Sequence, residues 1–355
     1  MGALRSRYWR GLLGVGLLAS LAVLGCGGGT LGAGRAPEPP TVVPVAGASS
    51  PPSLIKARSA YTTTSAAAAP WWVALEAGYF LEQGLDVTLS HVDAGAALLA
   101  ALYNGELDIT FAGAPTFVLG YLQGMETLII GATSNVLDAS IFVRPEIQRI
   151  EDLRGKTIGV TRLKAITDVA ARLGLKRMGL EPDVDFFTRG TGGPAEALAA
   201  LEAGTIDGAS LPVPALFEAR KRGFREILNV GAMNIPFMGS AVGGTRKTLT
   251  ERPELGEPYL RALAQAVSRL KTDREFAIQV IGKYSRSTDY ELLGATVDYY
   301  RPLYTVDPYP EPAAVQAVID AEEHPGARTL RPEEMTDYRF AERLRASGFL
   351  DQLPR

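Results

Sequence analysis

The chain of 355 residues carries a single cysteine, Cys26, and only two histidines, His91 and His324. One thiol cannot close an intrachain disulfide, and two distant histidines without ligand-like spacing leave no His- or Cys-based metal site. The same scarcity leaves no recognisable Cys–His motif and no convincing pairing of a Ser or Thr nucleophile with a base. No catalytic residue, metal or cofactor is therefore expected. An excess of positive charge is missing too, because 36 Lys and Arg face 39 Asp and Glu. Without a basic stripe to neutralise phosphates, nucleic acid is not an expected partner. The apolar run from Gly11 to Gly25 is too short to span the roughly 30 Å of a bilayer's hydrocarbon.

That short run has a second meaning. Arg5, Arg7 and Arg10 form a cationic start, no acid occurs before Glu38, and the run ends in Val23-Leu24-Gly25-Cys26. A charged start, a short apolar core and a small residue before the cut describe a cleaved signal peptide over residues 1–25. The cysteine after Gly25 resembles a bacterial lipoprotein signal, which implies that Cys26 is lipidated and holds the chain to a membrane. Residues 26–53 are mostly Gly, Ala, Pro and Ser, too poor in large apolar side chains to offset their ordering entropy, and read as a flexible tether. Loss of the three signal arginines leaves 33 bases against 39 acids, a net charge of −6. About 300 residues remain, enough for two domains with real cores.

Those residues contain an internal repeat at an offset of 99 positions. Leu99-Ala100-Ala101-Leu102 returns as Leu198-Ala199-Ala200-Leu201, and Gly105, Asp108, Pro115 and Gly124 return as Gly204, Asp207, Pro214 and Gly223. Upstream, Leu54, Thr62, Leu81-Glu82 and Asp86 fall on Leu153, Thr161, Leu180-Glu181 and Asp185 without a gap. Glycine, aspartate and proline keeping step are harder to ascribe to chance than alanine or leucine would be.

Periodicity predicts strands over 54–61, 86–92, 109–112 and 128–132, with helices over 70–83, 96–104 and 115–123. The same order returns from Thr157 to Val230. Alternating strands and helices imply an α/β fold of two lobes, each an open, mostly parallel sheet flanked by helices. Ala139–Val143 is expected to carry the chain from lobe one to lobe two, and Gly239–Gly243 to carry it back. Lobe one is then 54–141 and 240–355, and lobe two 142–239. The mostly helical segment after Thr248 should pack on lobe one, with Thr288-x-x-Glu291 as a capping box. Open parallel sheets bind ligands along the edge where their strands end, so two facing edges make a cleft and two crossings make a hinge.

The residues now carry a likeness. Ala69-Pro70-Trp71-Trp72-Val73-Ala74-Leu75-Glu76-Ala77-Gly78-Tyr79-Phe80, with Gln83-Gly84-Leu85-Asp86-Val87, resembles the opening of the nitrate, sulfonate, taurine and thiamine-precursor type of ABC-transporter solute-binding protein. Asn104-Gly105-Glu106-Leu107-Asp108-Ile109, the stretch Ile150–Val160 and Ser347-Gly348-Phe349-Leu350-Asp351 extend the resemblance over nearly all of 54–351. It implies the type II periplasmic-binding-protein fold and capture of a small-molecule solute. It also implies a permease and its ATPase as partners, with the receptor itself a monomer. An enzyme branch of the same fold makes the thiamine pyrimidine, but it depends on a cysteine-rich motif and histidines that this chain lacks. A ligand sensor without a transport role is the other alternative.

Candidate contacts follow from the loops at the strand ends. Thr63, Thr64 and Ser65 offer hydroxyls beside a helix N-terminus, which suits an anionic or strongly polar group. The resemblance marks that loop as ligand-binding, although an ordinary polar loop would look alike. Gly113-Ala114-Pro115-Thr116 resembles the family's second binding loop, with Pro212 in its repeat partner. In lobe two, Thr161, Arg162, Lys164 and Thr167 form the counterpart of the threonine loop. Either cation there would suit a carboxylate, sulfonate or phosphate, or else point to solvent, and Arg189 is a weaker candidate of the same kind. Trp71 and Trp72 project about 100° apart, so one can face the cleft while the other packs inside, although core packing is the more ordinary role for each. Met238 either lines the cleft or packs at the hinge. Arg162 and the hydroxyls together favour an organic anion, aromatic solutes included.

Overall fold

A computed structural model describes residues 53–92 and 94–354. The expected signal peptide, Cys26 and, apart from Ser53, the tether lie outside the described residues. The strands are β1 Ile55–Tyr61, β2 Leu85–His91, β3 Thr110–Ala112, β4 Thr127–Val136, β5 Ser140–Val143, β6 Lys156–Val160, β7 Phe186–Gly190, β8 Gly208–Leu211, β9 Arg225–Asn229 and β10 Pro236–Thr245. They form two five-stranded sheets, ordered β2-β1-β3-β10-β4 and β7-β6-β8-β5-β9. The orders correspond strand for strand. In the first sheet β2, β1 and β3 are parallel, and β10 enters antiparallel between β3 and β4. In the second, β7, β6 and β8 are parallel, and β5 takes the antiparallel place between β8 and β9.

The chain thus changes sheet between Val136 and Ser140 and returns between Asn229 and Pro236, a few residues ahead of the 141/142 and 239/240 boundaries read from the sequence. Each sheet receives one strand from beyond its own repeat. The expected two-sheet α/β architecture is present.

The duplication is visible atom by atom. The Arg58 backbone N–H donates to Asp108 Oδ2 at 2.7 Å, and the Thr157 N–H, 99 positions on, donates to Asp207 Oδ2 at 2.9 Å. Each aspartate N–H returns a bond to the carbonyl of the same residue. Each carboxylate therefore ties the strand it precedes to the neighbouring strand. Gly105 and Gly204 end the preceding helices at φ +71° and +66°, a left-handed conformation that explains why glycine recurs there.

Helices cover the sheets: α1 Ala69–Glu76, α2 Tyr79–Glu82, α3 Gly95–Tyr103 and α4 Ala114–Leu122 in the first repeat, and α5 Ile166–Arg177, α6 Pro194–Glu202 and α7 Ala215–Lys221 in the second. The single helix expected over 70–83 is broken, because Gly78 sits at φ +76° between α1 and α2. Seven further helices follow: α8 Arg246–Glu251, α9 Gly256–Thr272, α10 Arg274–Ser285, α11 Tyr290–Tyr300, α12 Pro312–Asp320, α13 Pro332–Met335 and α14 Arg339–Ala346. Among them α9 packs on α1, and α12 on β10 and α4. Asp289, not Thr288, caps α11, accepting from the Leu292 N–H at 3.0 Å. No described helix is long and apolar enough to cross a membrane.

Candidate functional site

The C-terminal ends of β1, β6 and β8 lead into 62–65, 161–165 and 212–214, so the loops that a parallel sheet offers to ligands come from both sheets. A crevice of about 310 Å³ lies between the first and the last of these loops, and the second loop reaches it only through Ile166, the residue that follows it. Thr63, Ser65 and Ala67 line it from the loop after β1, and Ile166, Pro212 and Val213 from the second repeat. Ser134 and Val136 reach it from the end of β4, Asp138 from the first crossing, Gly239 and Ser240 from the return strand, and Tyr300 and Tyr304 from the end of α11 and just beyond. A second chamber of about 330 Å³ shares Thr63, Ser65 and Val213 and continues to Thr64, Ile281, Leu292 and Leu293. Both volumes fall in the range of small-molecule sites. Backbone and hydroxyls shape the entrance: Thr63 Oγ1 accepts from the Ser65 N–H at 3.1 Å and donates to its Oγ at 3.1 Å.

Asp138 is the one charged side chain among the residues lining either chamber. Burial pushes its carboxyl up to about 6, although the Tyr300 hydroxyl donates to Oδ2 at 3.1 Å. Tyr300 and Tyr304 stack with centroids 5.7 Å apart, and Tyr299 meets Tyr300 edge-on at 5.5 Å. Burial, followed by the negative charge of Asp138, holds the phenols of Tyr300 and Tyr304 well above their ordinary value. These hydroxyls stay protonated and serve as donors.

Larger cavities exist but their cations are engaged. One, of about 700 Å³, is lined by Lys271 and Arg345. Lys271 already donates to the carbonyls of Arg301 and Tyr304, and Arg345 pairs with Asp307 and Glu311. A groove of about 520 Å³ between α5 and the end of α12 is lined by Lys164 and Arg172. There Lys164 pairs with Glu323, and Arg172 with Asp168 and Asp183.

Of the residues singled out from the sequence, Thr63, Thr64, Ser65 and Pro212 line the two chambers. The others stand elsewhere. Trp71 and Trp72 are both fully buried, stacked on Phe111 at 4.1 Å and on Tyr284 at 5.0 Å, so each packs in the core and neither lines the chambers. Met238 is fully buried as well and packs in the core. Ala114 is buried at the start of α4 and Pro115 is exposed there, while the Thr116 side chain lies against Gly95. Gly113 abuts the Gly239 carbonyl without joining the lining.

The second threonine loop closes on itself: the Thr161 N–H donates to Thr167 Oγ1 at 3.0 Å, and the two hydroxyls meet at 2.8 Å. Lys164, held at φ +65°, turns toward Glu323 rather than the crevice. Arg162 is exposed and lies outside both linings, and Arg189 is spent on the Thr205 carbonyl at 2.7 Å. The cation on which the anion expectation rested is thus absent from the lining. Sequence reasoning passed over Asp138, Gly239 and the Tyr299-Tyr300 and Tyr304 group. Two adjacent tyrosines with a third four positions on, in a stretch outside the repeat, were the available signal.

Comparison with known proteins agrees with this architecture. The family model described as "NMT1/THI5 like" matches residues 65–275. A putative periplasmic sulfonate-binding protein SsuA from Methylobacillus flagellatus KT has a TM-score of 0.69 at 17% identity, covering 85% of this chain and 98% of that one. The periplasmic nitrate-binding protein NrtA of Synechocystis PCC 6803 gives 0.65 at 14%, covering 86% and 92%. The periplasmic aliphatic sulphonate binding protein SsuA of Escherichia coli gives 0.64 at 18%, covering 84% and 99%. At such identities the likeness establishes the fold. No curated protein sequence matches the chain.

Proposed function

The chain belongs to the NMT1/THI5-like family, and from that premise we propose that it is an extracytoplasmic solute-binding protein that captures a small organic molecule between two lobes and delivers it to an ABC importer. The observation that carries this reading is the crevice whose walls come from both sheets, beside the two chain crossings. A solute held there contacts both halves at once and favours whichever arrangement brings them together. In this reading the lobes follow the sheets, with β5 to β9 in lobe two and the flanking segments in lobe one.

Residues 1–25 serve as signal peptide, and Cys26 carries the lipid that holds a monomeric receptor at the membrane beside a permease and its ATPase. The crevice lining contains no His or Cys among the described residues, which favours a receptor over an enzyme. The anionic ligand expected from Arg162 loses support, since no lining residue is a cation.

A solute screen read by melting temperature tests the receptor role, because a ligand that binds only the native state raises the midpoint with its concentration. A hit on the wild type should have no effect on Gly239→Val. A Cβ at Gly239 stands 3.6 Å from Ile166 and 3.9 Å from Asp138 Oδ1, so the backbone tolerates it while a branched side chain fills the crevice. Equal shifts in both proteins would place the solute elsewhere. The anchor is tested separately: Cys26→Ser should move the chain from the membrane fraction to the aqueous one, and persistence in membranes would refute lipidation.

A further inference from the structure

Resting on the receptor reading, we propose that the solute is an organic ammonium cation, its charged head seated against Asp138 and the faces of Tyr300 and Tyr304, with an apolar arm in the adjoining chamber. The first support is an unbalanced charge. Asp138 is half-buried in the crevice wall, where a carboxylate gains from a cationic partner, yet Tyr300 is the one side chain among the described residues that hydrogen-bonds it. The titratable groups around it are Tyr299, Tyr300 and Tyr304, all neutral at ordinary pH and none able to supply positive charge. A bound cation supplies the missing partner.

The second support is geometric. Oδ2 is occupied by Tyr300, whereas Oδ1 lies beside Gly239, where the lack of a side chain leaves approach open. Tyrosine faces attract quaternary and protonated amines through their ring quadrupole, most strongly in a desolvated site. Third, the adjoining chamber is bounded by Ala66, Val213, Pro214, Ile281, Leu292 and Leu293, with hydroxyls between them. That lining suits a hydrocarbon or aromatic arm and carries no charge of either sign.

The test is calorimetric titration of the full chain with matched probes: benzyltrimethylammonium and choline as permanent cations, benzyl alcohol as the neutral form, and benzenesulfonate, methanesulfonate and nitrate as anions. The cations should bind, and Asp138→Asn should weaken them about thirtyfold or more, while benzyl alcohol is affected little. The amide still accepts from Tyr300, so the fold should survive. The wild type alone supplies an independent readout. Affinity for a permanent cation should rise about tenfold per pH unit up to about 6 and be flat above it, because only the ionised carboxylate pairs with it.

Asp138→Asn should also melt higher than the wild type at pH 7.5 and equally at pH 4. A carboxyl whose folded pKa is raised contributes its stability below its unfolded value and loses it as pH rises through about 6. An anion bound in preference to the cations, with affinity unchanged or improved in Asp138→Asn, would overturn the charge assignment and leave the receptor standing. Silence from all three sets, together with no hit in the wider screen, would overturn the receptor reading and this inference with it.

Discussion

Replacing Asp108 with alanine is expected to destabilise the fold by about 2–4 kcal/mol, against about 1–2 kcal/mol for Asp207→Ala. Both residues hold the same place in the repeat, yet their surroundings differ. The Asp108 side chain is 5% exposed and accepts from the Arg58 backbone at 2.7 Å, the Arg58 guanidinium at 2.9 and 3.2 Å, and Arg252 at 3.1 Å. Asp207 is 23% exposed, with Arg144 at 3.4 Å and Lys156 at 3.7 Å. Removal of Asp108 leaves a backbone N–H without its acceptor and two closely held guanidinium groups without their buried counter-charge, whereas Asp207 is itself more exposed and its cations stand farther off.

Burial alone would push the Asp108 carboxyl up, but the bonds from Arg58 and the charge of Arg252 outweigh it and hold the group below its ordinary value. A depressed folded pKa contributes stability above the unfolded value of about 3.9 and loses it as pH falls through the folded one. The gap between wild type and Asp108→Asn should therefore narrow in acid. Urea unfolding of both variants measures the comparison, and equal losses would mean that the two aspartates are interchangeable turn residues.

Much of this organisation was legible in the chain. Asp108 and Asp207, with Gly105 and Gly204, kept their spacing because each pair meets a local requirement: a carboxylate that ties two strands and a glycine in a left-handed turn. Such needs leave a mark at fixed offsets. The crevice was harder to read because it is assembled from distant segments. Asp138 precedes β5 in a crossing without a repeat partner, and Tyr300 reaches it across 162 positions. No local pattern links them.

The tryptophans show why divergent directions did not settle their roles. Helical geometry turns Trp71 and Trp72 apart, but α1 is enclosed on both sides, by Phe111 of the sheet and Tyr284 of α10. Separate directions did not mean separate environments. Lys164 shows a third limit, since its left-handed backbone and its partner Glu323 decide where the charge points.

Closure is the second large effect expected. Lys164, ahead of α5, pairs with Glu323, beyond α12, so the rims of the two halves touch on one side of the molecule. That exposed pair is a weak latch, worth about 1 kcal/mol or less, and by itself cannot hold the halves together. A solute that contacts both walls adds its differential affinity for the closed arrangement, and each 1.4 kcal/mol of that difference shifts the population about tenfold. Without solute, open and closed forms should coexist.

The central claim is that the crevice is a solute site whose walls close on their guest. Its most direct test is the distance between spin labels at Leu163→Cys and Asp320→Cys in a Cys26→Ser background, on the two sides of the groove that the Lys164–Glu323 pair spans. The account predicts a broad distribution for the free protein that collapses to its short-distance component when a solute found by the melting screen is added. A solute that binds at saturating occupancy and leaves the distribution unchanged would contradict it.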